Sequence, residues 1–564
     1  MNGRVVLRAL LPGAGALAVA AAALWFWHGY YEAAFRGLIY NDALDYASLA
    51  RNFARGKGLV SQYLTPLGLV HHGVPQPDLW RAPLWPLLLA GFQRLFGFID
   101  EASALAGGFC FAAGAGLVFL LGRRWFNLPV ALAAAALYVF SGQLLLFSTS
   151  GLTEPLALLM MLAWVAVLTG APERSWRGFL AAGGMTGLFY LARYNAVLFL
   201  LPGLLFLIWR ARRSRADGGR SAGREFNQAL RITALFLFGF LLAAGPWLGR
   251  NLLLTGNPFF SLQKYEPAMF TRTYPGYSLY MRPERVDVAA FLQAHPEEVG
   301  AKVAAGWQAF QRDLFSPGFT GVALPVFLAF LLALALPLDG EFPAQRGVRP
   351  LLVSCFLIQL AALLLIHYIP RLFIIFAPFY MIYAAGGLWW LVCRAAACAA
   401  GCLAACPEWG RASRPPGAPE ARPPARLVLG ILALGAFAFF GARAGCPDFH
   451  FDLGGPHPRV LRAEALRDAA ALVPPDRVVL SNEGHLFAWY GDRFACKIPY
   501  TPALLPEVAR LAPVGALYLS NWITWNLPEA DPLWIKFYLT RPPAYAGFTL
   551  VKVYPDGSLL YLRR

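Results

Sequence analysis

Residues 39–58 read "IYNDALDYASLARNFARGKG" and follow a long apolar run. Two acids, Asp42 and Asp45, stand three residues apart just where the chain leaves that run; Arg51, Arg55 and Lys57 come after them. Taken as a helix from 42 to 55, with Asp42 at zero, Leu49 falls near about −20°, Phe53 near about +20° and Tyr46 near about +40°. Asp42 is therefore central on the apolar stripe. Asp45 lies towards Ser48 and Asn52, and Arg51 and Arg55 lie on the far side. Such a helix is expected to lie on a membrane surface with its apolar face down. An acid in the middle of that face is costly unless it is paired or used. Two roles fit Asp42, an N-cap that accepts backbone N–H bonds or a working carboxylate. Asp45 fits a first-turn partner of the helix dipole.

The rest of the chain says which membrane context applies. Of 564 residues, 58% are apolar and only 14% charged, against about 25% charged in soluble domains. Apolar runs occur at about 7–27, 102–122, 128–147, 152–170, 177–192, 196–210, 231–249, 320–338, 351–368, 371–393 and 426–444. The first is preceded by Arg4 and Arg8 but ends in bulky Leu24, Trp25, Phe26 and Trp27 with no small-residue cleavage site, so it reads as a retained span rather than a signal peptide. The sequence thus predicts a polytopic α-helical membrane protein with about eleven transmembrane helices.

The net charge of +17 does not indicate nucleic acid, because no basic–aromatic patch or nucleic-acid motif is present. The basic residues fall in alternate gaps: Arg123 and Arg124; Arg174 and Arg177; "RARRSRADGGRSAGR" at 210–224; Arg346 and Arg349; and "RASRPPGAPEARPPAR" at 411–426. With the N-terminus inside, every inner loop is basic, in accord with the positive-inside rule. The outer face then receives a first loop at 28–101 with juxtamembrane amphipathic helices, a short turn "STSGLTEP" at 148–155, and a second large loop at 250–319. A terminal segment, 445–564, follows. Its last stretch, "FTLVKVYPDGSLLYLRR", reads as a hairpin around Pro555-Asp556-Gly557. With "RVVLSN" and "GALYLS" as further strands, 445–564 is expected to be a small extracytoplasmic α/β domain, and 1–444 the membrane domain.

Eight cysteines do not form a disulfide framework. Cys398, Cys402 and Cys406 recur every four residues and read as small fillers on one helix face rather than metal ligands. Cys446 and Cys496 share the terminal segment, and whether they pair depends on its redox compartment. His71 and His72, with Asp78 nearby, lack helical ligand spacing, so no metal is expected there. His485, in "SNEGHLFAWYGDR", reads as structural.

Polar residues gather at the outer ends of the spans. "DLWRAPLWP" places Arg81 beside a membrane entry, "GLTEP" places Glu154 at the start of the fourth span, and "ARYNA" places Arg193, Tyr194 and Asn195 in an outer turn. "GPWLGRNLLLTGNP" places Arg250 at the exit of the seventh span, and "HYIPR" places His367, Tyr368 and Arg371 in the last short turn. Interfacial arginines and tyrosines also snorkel and anchor. Acids and arginines recurring at one face point instead to a shared site for an anion.

In this order, "NDALDYASLARNFARGKG", "WRAPLWPLLLAGFQRLFG", "GLTEPLALLM", "GPWLGRNLLLTGNP" and "HYIPRLFIIFAPFY" resemble the GT-C glycosyltransferases, over roughly residues 30–390. The nearest branch resembles the lipid A aminoarabinose transferases and the protein O-mannosyltransferases. The resemblance implies transfer of a sugar from a polyprenyl-phosphate donor to a lipid or glycan acceptor at the outer face of the inner membrane. That family has an acid in the first loop followed four residues later by Tyr, which Asp42 and Tyr46 match, and a second acid that Glu154 matches. Where the aminoarabinose branch has Glu-Lys-Pro, this chain has Trp80-Arg81-Ala82-Pro83. The loop at 250–319 is too short for the extra β-domain of the mannosyltransferases. The implied mechanism uses Asp42 as base, its proton affinity raised by an apolar wall, with Glu154 as a second acid. Arg81, Arg250 and Arg371 hold the phosphate, and Asp45, Tyr46, Arg193, Tyr194 and His367 complete the substrate site. A transporter or lipid-linked-sugar flippase is the rival, and it would place its charges near the midplane of paired, broken helices.

Overall fold

The structure is a computed structural model that describes residues 3–170, 175–213, 222–405, 424–445, 463–524 and 530–563. Cys406 and Cys446 lie outside the described residues.

All eleven apolar runs are helical. The chain opens with α1 (Gly3–Ala34), then α2 (Asn41–Ala54), α3 (Pro66–His71) and α4 (Leu84–Phe96) in the first loop. Next come α5 (Asp100–Trp125), the pair α6 (Leu128–Val139) and α7 (Gly142–Thr149) bent by 55°, α8 (Glu154–Gly170), α9 (Trp176–Ala192), α10 (Leu200–Arg213) and α11 (Ala222–Thr255). Further apolar helices cover Leu324–Ala335, Val348–Ile366, Ala377–Ala405 and Pro424–Gly445. Among the described residues, five helical segments are long and apolar enough to cross a bilayer, or six with the bent pair as one span. Three more, Glu154–Gly170, Leu324–Ala335 and Leu427–Gly441, are apolar but shorter. The protein is a multi-pass membrane protein.

Small residues set the helix crossings. At the α9–α11 contact, a Cβ on Gly183 would run into the Phe236 carbonyl, and one on Gly239 into the Leu180 carbonyl. Only glycine allows such close backbone approach, and between spans that approach supplies the packing energy that apolar burial cannot. Gly151 does similar work in the turn before α8. Its φ of +75° suits glycine, and a Cβ there would meet Leu38 Cδ2 at 2.7 Å. The turn thereby lies against the start of α2.

The terminal segment forms the expected small sheet, with one strand borrowed. β1 (Val60–Ser61) pairs with β3 (Gln76–Pro77) in a two-stranded ribbon of the first loop. β2 (Tyr63–Leu64) instead joins β4 (Val478–Ser481), β5 (Ala495–Lys497), β6 (Val514–Leu519), β7 (Ala544–Tyr545), β8 (Phe548–Val553) and β9 (Leu559–Arg563). The order is β2-β5-β4-β6-β9-β8-β7, parallel from β2 to β6 and antiparallel beyond. The β8–β9 hairpin turns at Pro555-Asp556-Gly557, as its sequence predicts.

The first loop and the terminal domain also meet along α2. Arg51, expected on the solvent side, is 5% exposed. It donates to the carbonyls of Ala488 and Trp489 and to Gln62, and it pairs with Asp492 at 3.1 Å. Arg55 reaches Asp492 at 2.6 Å. Asp100, at the start of α5, accepts from Trp489 Nε1 and Tyr490 Oη, each at 2.6 Å. Helix α2 therefore lies sandwiched between α4 and the helix Gly484–Tyr490, with both faces covered, rather than floating on a membrane surface. Amphipathic periodicity could not show that a protein domain covers the polar face, and the structure reverses the expected burial: Asp45, Ser48, Arg51 and Asn52 are buried, while Phe53 on the apolar stripe is 40% exposed.

Candidate active site

Asp42 does not cap its helix. The N-cap of α2 is Tyr40, which makes no side-chain cap bond. Asp42 Oδ1 instead accepts from Arg81 Nη2 at 2.9 Å, and Oδ2 from Arg371 Nη2 at 2.6 Å. Arg81 Nε also reaches Asp45 Oδ2 at 2.6 Å. On the other side, Arg371 Nε lies 3.6 Å from Glu154 Oε1, which pairs with Arg193 Nη2 at 3.0 Å. The result is an alternating chain: Asp45, Arg81, Asp42, Arg371, Glu154, Arg193. Three acids and three arginines, brought from α2, the end of the first loop, the last outer turn, α8 and the C-cap of α9, neutralise one another.

The chain of charges is graded in exposure. The side chains of Asp45 and Glu154 are 2% and 1% exposed, whereas Asp42 and Arg371 keep 30% and 32%. Asp42 and Arg371 in the middle thus face open space, while Asp45 and Glu154 on either side of them are buried. Arg81 is held from behind. Its backbone N–H and that of Trp80 donate to Asp78, its carbonyl accepts from Tyr194 Oη at 2.7 Å, and its guanidinium lies over the rings of Tyr46 and Trp80.

Burial works against ionisation of Asp42, but the charges of Arg81 and Arg371 and the Arg371 hydrogen bond outweigh it and hold the carboxyl well below the usual carboxylate range. The sequence reading, an apolar wall raising its proton affinity, is corrected here: the two arginines win. Asp45 behaves in the opposite way. Burial pushes it up to about 6, against the pull of Arg81 and with help from Asp78 and Asp42.

These groups line a cavity of about 700 Å³, within the range for small-molecule sites. Asp42, Tyr46, Arg81, Glu154, Arg193, Tyr194, His367 and Arg371 all border it. Asp45 sits behind Arg81 and does not. Arg250 does not border it either: its guanidinium stacks over Trp247 at 4.3 Å and donates to Asn251. An arginine at a span's exit can turn either way, and position alone did not say which.

Glu266, which the sequence reading passed over, also lines the cavity, and Lys302 stands behind it. Glu266 Oε1 accepts from Tyr280 Oη at 2.9 Å; burial pushes Glu266 up to about 7, against that hydrogen bond. Lys302 Nζ donates to the carbonyls of Glu266 and Pro267, and burial brings Lys302 down to about 8. His367 stacks on Phe270 with ring centroids 3.6 Å apart, and burial, with nearby Lys302, lowers it to about 4, so it is neutral at pH 7. The terminal domain closes the roof with Glu483, His485, Lys497 and Trp522, and His485 stacks on Tyr63 of β2 at 3.4 Å. His485 is therefore a cavity residue. The signal was its place in "SNEGH", directly after a predicted strand, where αβ domains present side chains to ligands.

His71 bonds to Tyr265 and Asp78 to backbone N–H groups. Among the described residues, no three His, Cys, Asp or Glu side chains converge as a metal site would require.

The fold is similar to that of solved ArnT structures, and part of the chain matches a glycosyltransferase family model. Residues 80–218 match the family described as dolichyl-phosphate-mannose-protein mannosyltransferase. ArnT from Cupriavidus metallidurans, in a crystal structure bound to undecaprenyl phosphate, is similar with a TM-score of 0.55 at 14% identity, covering 98% of this chain and 97% of that one. The apo structure of the same ArnT gives 0.53 at 14% identity, covering 99% and 98%. No curated protein matches the chain.

Proposed function

We propose that this protein transfers a sugar from a polyprenyl-phosphate donor to a hydroxyl of a lipid or glycan acceptor, in the cavity beneath the terminal domain and with inversion at the anomeric carbon. The observation that carries the reading is the Arg81–Asp42–Arg371 bridge on the wall of a 700 Å³ cavity. The similarity of fold to an ArnT crystallised with undecaprenyl phosphate supports it.

The bridge suits an exchange of anions. Guanidinium groups bind phosphate oxygens bidentately. When the donor's phosphate enters, Arg81 and Arg371 turn part of their hydrogen bonding to it, and Asp42 loses the partners that depress its proton affinity. It then becomes a competent base beside the reacting carbon. The acceptor oxygen attacks the anomeric carbon, its proton passes to Asp42, the C1–O bond to phosphate breaks, and the lipid phosphate leaves in the grip of the arginines. Attack from the face opposite the leaving group inverts the centre, by analogy with inverting glycoside hydrolysis. Glu154 keeps Arg371 and Arg193 in place.

The test is a reconstituted assay with polyprenyl-phosphate sugars and the full chain. Arg371→Gln is expected to weaken donor binding, and Asp42→Asn to leave binding while stopping turnover. Full turnover in Asp42→Asn would refute the mechanism, and failure of every polyprenyl-phosphate sugar to serve as donor would refute the reading.

A further inference from the structure

A transferase must tell one sugar from another, and the group that does so must border the cavity without belonging to the chain of charges. Glu266 meets both conditions. It stands near the end of a short 3₁₀ helix, Leu262–Ala268, in the second large outer loop. Two other segments hold it there. Lys302, from the helix Pro296–Asp313, donates to the carbonyls of Glu266 at 3.0 Å and Pro267 at 2.9 Å, which fixes the backbone. Tyr280, from the turn Ser278–Met281, donates its hydroxyl to Glu266 Oε1 at 2.9 Å, which aims the carboxyl.

A purely structural role does not account for this carboxyl. Burying it is costly, and a direct ion pair would offset the cost, yet Lys302 directs its hydrogen bonds to the two carbonyls instead. An acid in the last turn of a helix also opposes the helix dipole. With burial pushing it up to about 7, the group is present in both forms at neutral pH, and it can accept a hydrogen bond or donate one. A hydroxyl does both as well. The rings beside it form a continuous strip: Tyr277 lies 6.0 Å from Tyr280, Tyr280 4.4 Å from Trp80 and Trp80 6.3 Å from Tyr63, centroid to centroid. All four rings border the cavity. Arg81 lies over Trp80 at 4.9 Å, and Glu266 is close enough to the bridge to feel the charges of Arg81 and Asp42. A donor whose phosphate is held by Arg81 therefore carries its sugar alongside this strip. The C–H groups of a sugar ring pack on the negative faces of aromatic rings, while its hydroxyls need hydrogen-bond partners.

We propose that Glu266 reads a ring hydroxyl of the donor's sugar, with Tyr280 as its positioning residue and the aromatic strip as the bed for the ring. The assignment rests on the glycosyl-transfer reading above and names the residue that selects the sugar. A site built to hydrogen-bond a substrate hydroxyl rejects the analogue that lacks it, because the polar group of the site is then left unpaired.

The full chain is placed in nanodiscs, and dissociation constants are measured for polyprenyl-phosphate glucose, galactose and mannose, for their monodeoxy forms, and for polyprenyl phosphate alone. The sugar donors all carry the same charge, so the electrostatic effect of a substitution cancels in their ratios. Wild type is expected to lose about tenfold or more in affinity at one deoxy position. Glu266→Ala is expected to bind the parent donor more weakly and to abolish discrimination at that position alone. Glu266→Gln, which still donates and accepts, is expected to restore part of it. Tyr280→Phe is expected to reduce the same discrimination, and it supplies the readout if Glu266→Ala fails to fold. A deoxy profile identical in wild type and variants, or affinity lost evenly at every ring position, would overturn the inference, while retained binding of polyprenyl phosphate would leave the transferase reading standing. Unchanged donor binding in Glu266→Ala with a raised KM for the acceptor would place the residue on the acceptor and likewise overturn it. Binding of neither polyprenyl phosphate nor any of its sugars by wild type would refute the transferase reading, and this inference with it.

Discussion

Asp42 holds two arginines while a 30% exposed side chain faces the cavity. This combination makes its substitution informative. Asp42→Asn keeps the shape and removes the charge, so transfer is expected to fall by about 10²–10⁴-fold, with the protein still inserted; retention of more than about a tenth of activity would remove Asp42 from the role. The neighbouring acids give a pH dependence. Glu266, at about 7, and Asp45, at about 6, both take up protons between pH 8 and pH 5. Each proton adds one positive charge near the arginines. Affinity for the donor, a phosphodiester with one fixed charge, is therefore expected to rise as pH falls through that window, on the order of tenfold. Asp45→Asn should erase the lower-pH limb, and calorimetric titration at several pH values checks both. The lipid monophosphate product is unsuitable for this measurement, because its second ionisation falls near about pH 6.

At the scale of elements, the junction of α2 with the terminal domain rests on Arg51. Truncating it leaves the carbonyls of Ala488 and Trp489 without their donor and Asp492 with Arg55 as its remaining partner. Arg51→Ala is expected to destabilise the junction by about 1–3 kcal/mol, seen as faster limited proteolysis of the segment after residue 445. Asp492 is partly buried, yet Arg51, the Gln62 hydrogen bond and Arg55 hold its carboxyl below the usual range. A depressed carboxylate contributes stability that is present above its unfolded pKa and lost as pH falls through the folded one. The junction is therefore expected to loosen only in acid, below about pH 4. The α9–α11 crossing gives a complementary prediction. Gly183→Leu forces the helices apart, and its thermal stability in detergent is expected to drop, whereas Gly245→Leu, with open space around its Cβ, is expected to be tolerated.

For the whole molecule, the basic residues Arg124 and Arg346 and the terminal domain lie at opposite ends of α5. In a background without native cysteines, Lys536→Cys is expected to react with a membrane-impermeant maleimide only from the outside, and Arg346→Cys only from the inside. Labelling of both from one side would refute the orientation.

Hydropathy and charge are properties of short segments, so the sequence by itself determined the helical runs, the basic end of the bundle, the β8–β9 hairpin and the helix that displays Asp42 on its apolar stripe. Each depends on neighbours a few residues away. What only the tertiary structure decided depends on distant partners. Arg81 and Arg371 lie 39 and 329 residues from the acid they share. β2 leaves its own loop to edge the terminal sheet, and His485 faces the cavity because β2 brings Tyr63 beneath it. Arg250 carries the same residue type at the same kind of position as Arg371, yet it turns to Trp247. A guanidinium at a span's end meets the same transfer cost in either direction, and only the shape of the assembled bundle selects its partner.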